Sequence, residues 1–188
     1  FKFQHKEYST LYSSNNFNIY HLDGKLTVKN ANIQKTIHNI NLFNAKTIKY
    51  KNEILVLGGD GKGILVNENC EYKPIDVNNK VATDLHIHDN LLVFGSVLGI
   101  FFHFIIYDLD KNIKVAQTQS ISANTLSYKI KDKIYAMMGN SQIIMYDFDG
   151  KEIWKKFESQ NIIPGITEYH NKLLYCSSNQ IKITDGTK

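Results

Sequence analysis

The stretch from Lys133 to Phe157 constrains the fold more than any other part of the chain. Short apolar runs alternate there with turn residues, and Asp149-Gly150 is a strong hairpin signal. Just upstream, Thr125 to Ile130 alternates apolar and polar residues and ends in a charged turn. No helix fits this spacing of apolar runs and turns. The pattern predicts a meander of four antiparallel strands: Thr125–Ile130, Lys133–Met138, Gln142–Asp147 and Lys151–Phe157.

Weaker copies of this layout recur along the whole chain. The turn can be aligned at five places, separated by 46, 41, 39 and 36 residues: Asp23-Gly24, Asn69, Asp110, Asp149-Gly150 and Asp185-Gly186. A period of ~40 residues with short strands is what a β-propeller blade requires, because one blade is a four-stranded sheet packed against its neighbours. The predicted units are residues 1–30, 46–77, 82–119, 124–158 and 164–188, and residues 30–45 are predicted to be an irregular connection.

The sequence therefore predicts an all-β fold, a β-propeller of four-stranded antiparallel blades, in a single domain over residues 1–188. If Phe1 to Gln4 is the first strand of unit one, about 4.6 repeats are present, because the chain stops where unit five should begin its fourth strand. Either five blades close with one strand missing, or the chain is a segment of a propeller of six to eight blades. We expect the second, since no strand is left over at the N-terminus.

Composition limits the function. With 188 residues, 43% apolar and 12% aromatic, the chain can bury a sizeable core, and its two isolated prolines mark no linker. The net charge is +4, but the lysines are scattered among carboxylates, so no nucleic-acid-binding face is expected. No apolar run or leader predicts membrane insertion, and the compartment stays open. Cys70 and Cys176 fall in different units, so we expect no disulfide between them.

The segment DGKEIWKKF at Asp149 to Phe157 resembles the repeat of the quinoprotein-like propellers, and the wider pattern resembles WD40-type blades. Trp154 is the only tryptophan, and the Gly-His and Trp-Asp dipeptides of well-formed WD40 repeats are absent. The resemblance, at the level of the superfamily, implies a propeller that binds something. A quinone-dependent dehydrogenase would carry many tryptophans and a conspicuous acidic constellation, and the sequence has neither, so no cofactor is expected.

Histidines are the first candidates for chemistry. His86 and His88, with His103 nearby in sequence, have a spacing that can chelate a metal. However, His5, His88 and His170 occupy the same first-to-second strand turn in three units. This recurrence favours a structural role in the turn, and no metal site is predicted.

Two further groups also have structural explanations. Gly58 to Gly63 (GGDGKG) has glycines spaced like a phosphate loop but lacks the following helix, so a hairpin turn is predicted. Aspartates that recur around the same hairpin are predicted to be turn formers, because their side chains bond nearby backbone amides: Asp108, Asp110, Asp147 and Asp149. Motifs such as G-x-S-x-G are absent, and no catalytic residue is predicted.

An apolar turn in unit three is the one candidate contact surface. Val97, Leu98, Ile100, Phe101 and Phe102 fill the second-to-third strand turn, where unit four needs only three residues. Turns at blade rims normally face water, so these residues predict a partner-binding surface. The alternative is that the strands simply extend and these residues pack inward.

Two functions from different classes follow. The first is a non-catalytic interaction module that acts as a scaffold, subunit or assembly factor through its blade-rim loops and binds a protein partner. The alternative is an enzyme that binds a small molecule or cofactor in the central channel. The absence of catalytic motifs favours the first.

Overall fold

The computed structural model describes residues 8–22, 25–38, 40, 43–120, 125–138, 142–157, 162–177 and 180–186. All regular structure in these ranges is β-strand, arranged as five antiparallel sheets. The predicted all-β class is therefore confirmed. The chain divides into two compact units, residues 1–81 and 82–188.

The first unit contains two four-stranded meanders, each with its strands in chain order. The first sheet consists of β1 (Tyr8–Ser13), β2 (Phe17–Leu22), β3 (Lys25–Asn30) and β4 (Gln34–Ile37). The second sheet consists of β5 (Lys46–Tyr50), β6 (Glu53–Leu57), β7 (Lys62–Asn67) and β8 (Tyr72–Asp76).

One apolar core joins these two sheets. Every member is exposed by 5% or less: Phe17, Ile19, Leu26, Val28 and Ile37 from the first sheet, and Ile54, Val56, Ile64, Val66 and Cys70 from the second sheet and its last turn. Their period of two along each strand places them on one face of each sheet. In addition, the Thr47 hydroxyl donates to the Leu11 carbonyl at 3.1 Å and connects β5 to β1.

The first sheet differs from its sequence prediction in two ways. The first strand of the sheet is β1 and its third strand, β3, ends at Asn30, whereas the third strand was predicted to end before Asp23-Gly24, two residues that lie outside the described ranges. The strand β4 lies within residues 30–45, which were predicted to be an irregular connection. Only one of its four residues is buried, so the segment has no strand-like apolar pattern in sequence. The predicted strand Phe1 to Gln4 lies outside the described residues.

The second unit contains three sheets. The third sheet consists of β9 (His86–His88), β10 (Leu91–Leu98), β11 (Phe101–Asp108) and β12 (Ile113–Ser120). The fourth consists of β13 (Thr125–Ile130), β14 (Lys133–Met138), β15 (Gln142–Asp147) and β16 (Glu152–Phe157). The fifth has three described strands: β17 (Ile162–Tyr169), β18 (Lys172–Ser177) and β19 (Gln180–Thr184).

A second apolar core joins the third and fourth sheets. Its members are exposed by 2% or less: Leu91, Val93, Phe104, Ile106, Ile134, Ile144 and Tyr146. Phe104 stacks on Tyr146, with ring centroids 5.1 Å apart and planes 17° apart. The fifth sheet lies against the fourth, because Lys156 Nζ donates to the Tyr175 hydroxyl at 3.3 Å and Tyr175 is 1% exposed.

A shared turn sets the spacing of the sheets. In the first four sheets the third strand ends in Asn or Asp, whose side-chain oxygen accepts two backbone amides of the next turn. These residues are 37, 41 and 39 residues apart: Asn30, Asn67, Asp108 and Asp147. Short side chains of this kind bond their own backbone and so end a strand at a fixed position. Asp108 and Asp147 are therefore turn formers, as the sequence predicted.

Candidate functional site: the apolar hairpin of the third sheet

The hairpin of residues 97–102 joins β10 and β11, two eight-residue strands of the third sheet. β10 and β11 pair without interruption from Leu91 and Asp108 to Leu98 and Phe101. Only Gly99 and Ile100 remain for the turn, and Gly99 takes the positive φ of 62° that such a tight turn favours. The predicted long turn is therefore wrong in its geometry. Its β-branched and aromatic residues extend the two strands instead of forming a loop.

These residues do not all pack inward. Three side chains at the end of the hairpin are exposed: Leu98 by 59%, Ile100 by 87% and Phe101 by 50%. Val97 and Phe102, which form the preceding cross-strand pair, are half-buried. Because successive residues of a strand point to opposite faces, the two pairs lie on opposite faces of the hairpin. The hairpin is thus apolar on both faces and at its tip.

The base of the hairpin is held firmly. Ala82 N donates to the Gly95 carbonyl at 2.9 Å, and Gly95 N donates to the Thr83 hydroxyl at 2.7 Å. At the tip, a Cβ added at Gly99 would have no neighbour within 4 Å, so the turn itself lies in open space. Its projection is therefore supported by hydrogen bonds at its base.

No charged residue lies near the tip of the hairpin in sequence. From Leu91 to Tyr107 the chain contains no Asp, Glu, Lys or Arg, and His103 is the nearest titratable side chain. The His103 ring lies beside Gln117, and His103 Nδ1 is 3.4 Å from Gln117 Nε2. A surface without charge that exposes large apolar side chains fits an apolar partner surface and offers little to an ionic ligand.

Of the candidate histidines, His88 has the best-defined surroundings. His88 ends β9, and its Nε2 lies 2.9 Å from the buried Ser127 hydroxyl on β13, so this pair connects the third and fourth sheets. Burial, reinforced by the charge of His86, lowers the pKa of His88 to about 4. Such a weak base, beside a hydroxyl that is only 5% exposed, does not form an accessible nucleophile. His170 lies in the turn between β17 and β18, and His5 is outside the described residues.

The glycine-rich segment of Gly58 to Gly63 is a hairpin between β6 and β7, as predicted. Gly59 N donates to the Phe43 carbonyl, and Gly61 N donates to the carbonyl of the first glycine, each at 2.9 Å. A Cβ added at Gly61 would lie 2.1 Å from the Asn79 carbonyl, so this glycine permits a close backbone approach. Amides that would be needed to bind phosphate are thus bonded within the chain.

Cys70 and Cys176 are both free thiols, and burial raises the pKa of Cys70. Among the described residues, no group of three His, Cys, Asp or Glu side chains is arranged to hold a metal ion. In the same part of the chain, no helix reaches the length and apolar character that crossing a membrane requires.

One cleft in the first unit was missed by sequence reasoning. It lies between the first and second sheets and has a volume of about 430 Å³. Its lining comes from several strands and turns that are far apart in sequence, so no local motif marks it. The local sequence feature that accompanies the cleft is the number of asparagines in the turns around it. Asparagine is expected in the turns of the repeat in any case, so it did not indicate a binding site.

Comparison with known proteins places the fold. No protein-family model and no curated protein matches the sequence. Solved structures do match: BamB from Moraxella catarrhalis has a TM-score of 0.59 at 9% identity over 92% of this chain and 56% of BamB. The computationally designed Ika8 protein has a TM-score of 0.63 at 15% identity over 94% of this chain and 57% of Ika8. The dihydro-heme d1 dehydrogenase NirN, in complex with DHE, has a TM-score of 0.58 at 10% identity over 89% of this chain and 42% of NirN.

These likenesses show a fold and not a function, because all the identities are below 25%. The chain has a β-propeller-like fold, which is the fold that the sequence resemblance implied. This chain spans about half the length of BamB, Ika8 and NirN.

Proposed function

We propose that this chain is a non-catalytic interaction module that binds an apolar groove of a partner protein through the hairpin of residues 97–102. The observation that carries the proposal is the exposure of Leu98, Ile100 and Phe101 at the end of a hairpin that is apolar on both faces. A two-sided apolar hairpin fits a groove better than a flat surface, because a groove covers both faces. Large apolar anchors in such pockets supply most of the energy of an interface.

The fold alone does not decide between interaction and catalysis. NirN is by its name an enzyme, whereas Ika8 is a designed protein, and both share the fold. The non-catalytic reading is supported by the local geometry. Ser127 and His88, a serine and a histidine in contact, connect two sheets and are largely buried.

A photo-crosslinker placed at Ile100 tests the proposed surface. In an extract of the source cell we expect one discrete protein adduct. That adduct should disappear when Leu98→Ser and Phe101→Ser are added, because the anchors that hold the partner are removed. Phe102 is left intact because it is half-buried.

The matched control is a crosslinker at Ile113, which lies at the other end of the third sheet and is 51% exposed. It should give no adduct of the same mass, and the Leu98→Ser/Phe101→Ser variant should melt like the parent. An adduct that forms equally well from Ile113, or that survives the two serine substitutions, would contradict the proposal.

We also propose that the fifth sheet packs against a further sheet of the same type, as in a propeller of six to eight blades. Tyr175 and Leu173 face the fourth sheet and are 1% exposed or less. Strand alternation therefore places Leu174, Ile181 and Ile183 on the opposite face. There Ile181 is 72% and Ile183 51% exposed, although they occupy the side that a following sheet covers elsewhere in the repeat.

A further inference from the structure

The cleft between the first and second sheets has an apolar floor and a polar rim. Its volume of about 430 Å³ lies within the range of small-molecule sites. The floor is formed by Tyr12, Phe17, Ile54 and Val66, and the rim by Lys49, Asn52, Asn67, Glu68 and Asn69. A second, smaller hollow continues from Glu68 toward Asn15 and Asn16.

One wall of the cleft is fixed before any ligand binds. Asn30 Nδ2, from the first sheet, donates to the Glu68 carbonyl at 2.9 Å. Lys35 Nζ, from the same sheet, donates to the Cys70 carbonyl at 2.9 Å. Within the turn, Asn67 Oδ1 accepts the amides of Asn69 and Glu71, each at 3.0 Å. A preformed wall lowers the ordering cost of binding, which favours a true site over an incidental gap.

Tyr12 supplies an aromatic surface in the floor. The pairing of β1 with β2 shifts register between Thr10 and Tyr12, which marks a β-bulge. Bulges re-aim a side chain and are frequent next to binding sites. The Tyr12 ring lies 6.3 Å from the Phe17 ring at an angle of 53° and is half-buried, whereas Phe17 is 1% exposed. Tyr12 is therefore the ring that a ligand can reach.

The chemistry of the rim selects a class of ligand. Asn52 and Asn69 are exposed, and each amide both donates and accepts hydrogen bonds, as a hydroxyl group does. Lys49 and Glu68 have opposite charges, so the rim attracts neither anions nor cations strongly. A neutral ligand with an apolar face and several hydroxyl groups matches this combination. We propose that the cleft binds a neutral saccharide, with a sugar ring against Tyr12 and hydroxyls on the asparagine amides.

Saturation-transfer NMR and calorimetry with maltose, cellobiose and N,N′-diacetylchitobiose test this site. We expect at least one of the three to bind at millimolar concentration. The Asn52→Ala/Asn69→Ala variant should bind it at least ten-fold more weakly, because both exposed amides are removed. Tyr12→Leu should also weaken binding ten-fold, whereas Tyr12→Phe should retain it, since the ring is kept.

Gln117→Ala is the matched control, because Gln117 is an exposed amide outside the cleft. Its affinity for the saccharide should equal that of the parent, and each variant should keep the parent's melting temperature. The proposal is overturned if none of the three sugars binds, or if binding is unchanged in the cleft variants. Binding of an uncharged Gly/Ser peptide without any sugar would also overturn it. None of these results depends on the hairpin of residues 97–102.

Discussion

The third and fifth sheets each have an apolar face on the side where the next sheet of the repeat would pack. In the third sheet the fourth sheet covers this face, whereas in the fifth sheet the face is partly exposed. In the third sheet the face is exposed by 2% or less and consists of Leu91, Val93, Phe104 and Ile106. In the fifth sheet two of its residues are half-buried and two are more than half exposed: Leu174, Cys176, Ile181 and Ile183. Strand pattern alone thus produces an apolar face, and only a neighbouring sheet converts it into a core.

The difference matters for energetics, because apolar area stabilises a fold only when it is removed from water, at about 25 cal/mol per Å². Covered faces should therefore be sensitive to truncation, and open faces should not. The same contrast exists within β11, where Phe104 is fully buried and Phe101 is 50% exposed.

Truncation of a covered ring should have the largest effect. Phe104→Ala should lower the free energy of unfolding by about 3 to 5 kcal/mol, because it leaves a cavity and removes the stacking on Tyr146. Phe101→Ala, in the same strand, should change it by less than about 0.5 kcal/mol. Urea denaturation measures both. If the two variants lose equal stability, the assignment of covered and open surfaces in the third sheet is wrong.

The interface between the third and fourth sheets should also contribute less to stability at acidic pH, because His88 lies in it. The folded-state pKa of His88 is lowered to about 4, mainly by burial, so the neutral form is favoured in the folded protein. Near pH 7 both states are neutral and there is no cost. As the pH falls below about 6.5, the unfolded state binds a proton first, and stability declines until the folded state is protonated near pH 4.

The loss should reach at most about 3 kcal/mol for this group. His88→Gln removes the titrating group, so its stability should depend less on pH between 7 and 4 than that of the parent. Urea denaturation at several pH values gives the free energy of unfolding of the parent and of the variant. The contribution of the other histidines is the same in both proteins and is removed when the two values are subtracted. An identical pH dependence in the two proteins would show that His88 is not buried in the way described.

Much of the fold follows from local sequence signals. The meander between Thr125 and Phe157 was predictable, because its turns carry Asp-Gly and polar residues at hairpin spacing and its strands alternate. The turn-forming role of Asp108 and Asp147 was predictable for the same reason. The short period of the repeat then indicated a propeller without any need for a matching family.

The errors have a common physical origin. An Asp-Gly hairpin signal predicts a tight turn but not which two strands of a meander the turn joins. The sequence alignment therefore assigned β1, β2 and β3 to the second, third and fourth positions of the first sheet, whereas they are its first, second and third strands. The edge strand β4 buries only Ile37 and thus lacks a pattern.

The candidate sites were less predictable than the fold. The apolar composition of residues 97–102 was visible in sequence, but the tight hairpin geometry depends on a cross-strand pairing that continues to Leu91 and Asp108, which are 17 positions apart. The cleft needs Tyr12 and Asn69 to come together from different sheets, and such contacts leave no mark on local spacing.

Only a small effect on stability is expected at the open face of the fifth sheet, as at Phe101. Replacing both Ile181 and Ile183 with Ser should change the free energy of unfolding of residues 1–188 by no more than about 0.5 kcal/mol per site, because these side chains are already in water. At the same time the variant should self-associate less, since an exposed apolar face on an edge strand favours association. Sedimentation velocity over a range of concentrations measures the second effect, and urea denaturation the first. Lys182→Ser, on the same strand but the other face, is the control and should leave association unchanged. A loss of more than about 2 kcal/mol in the double variant would mean that the face is already covered within residues 1–188, and no further sheet would then be needed.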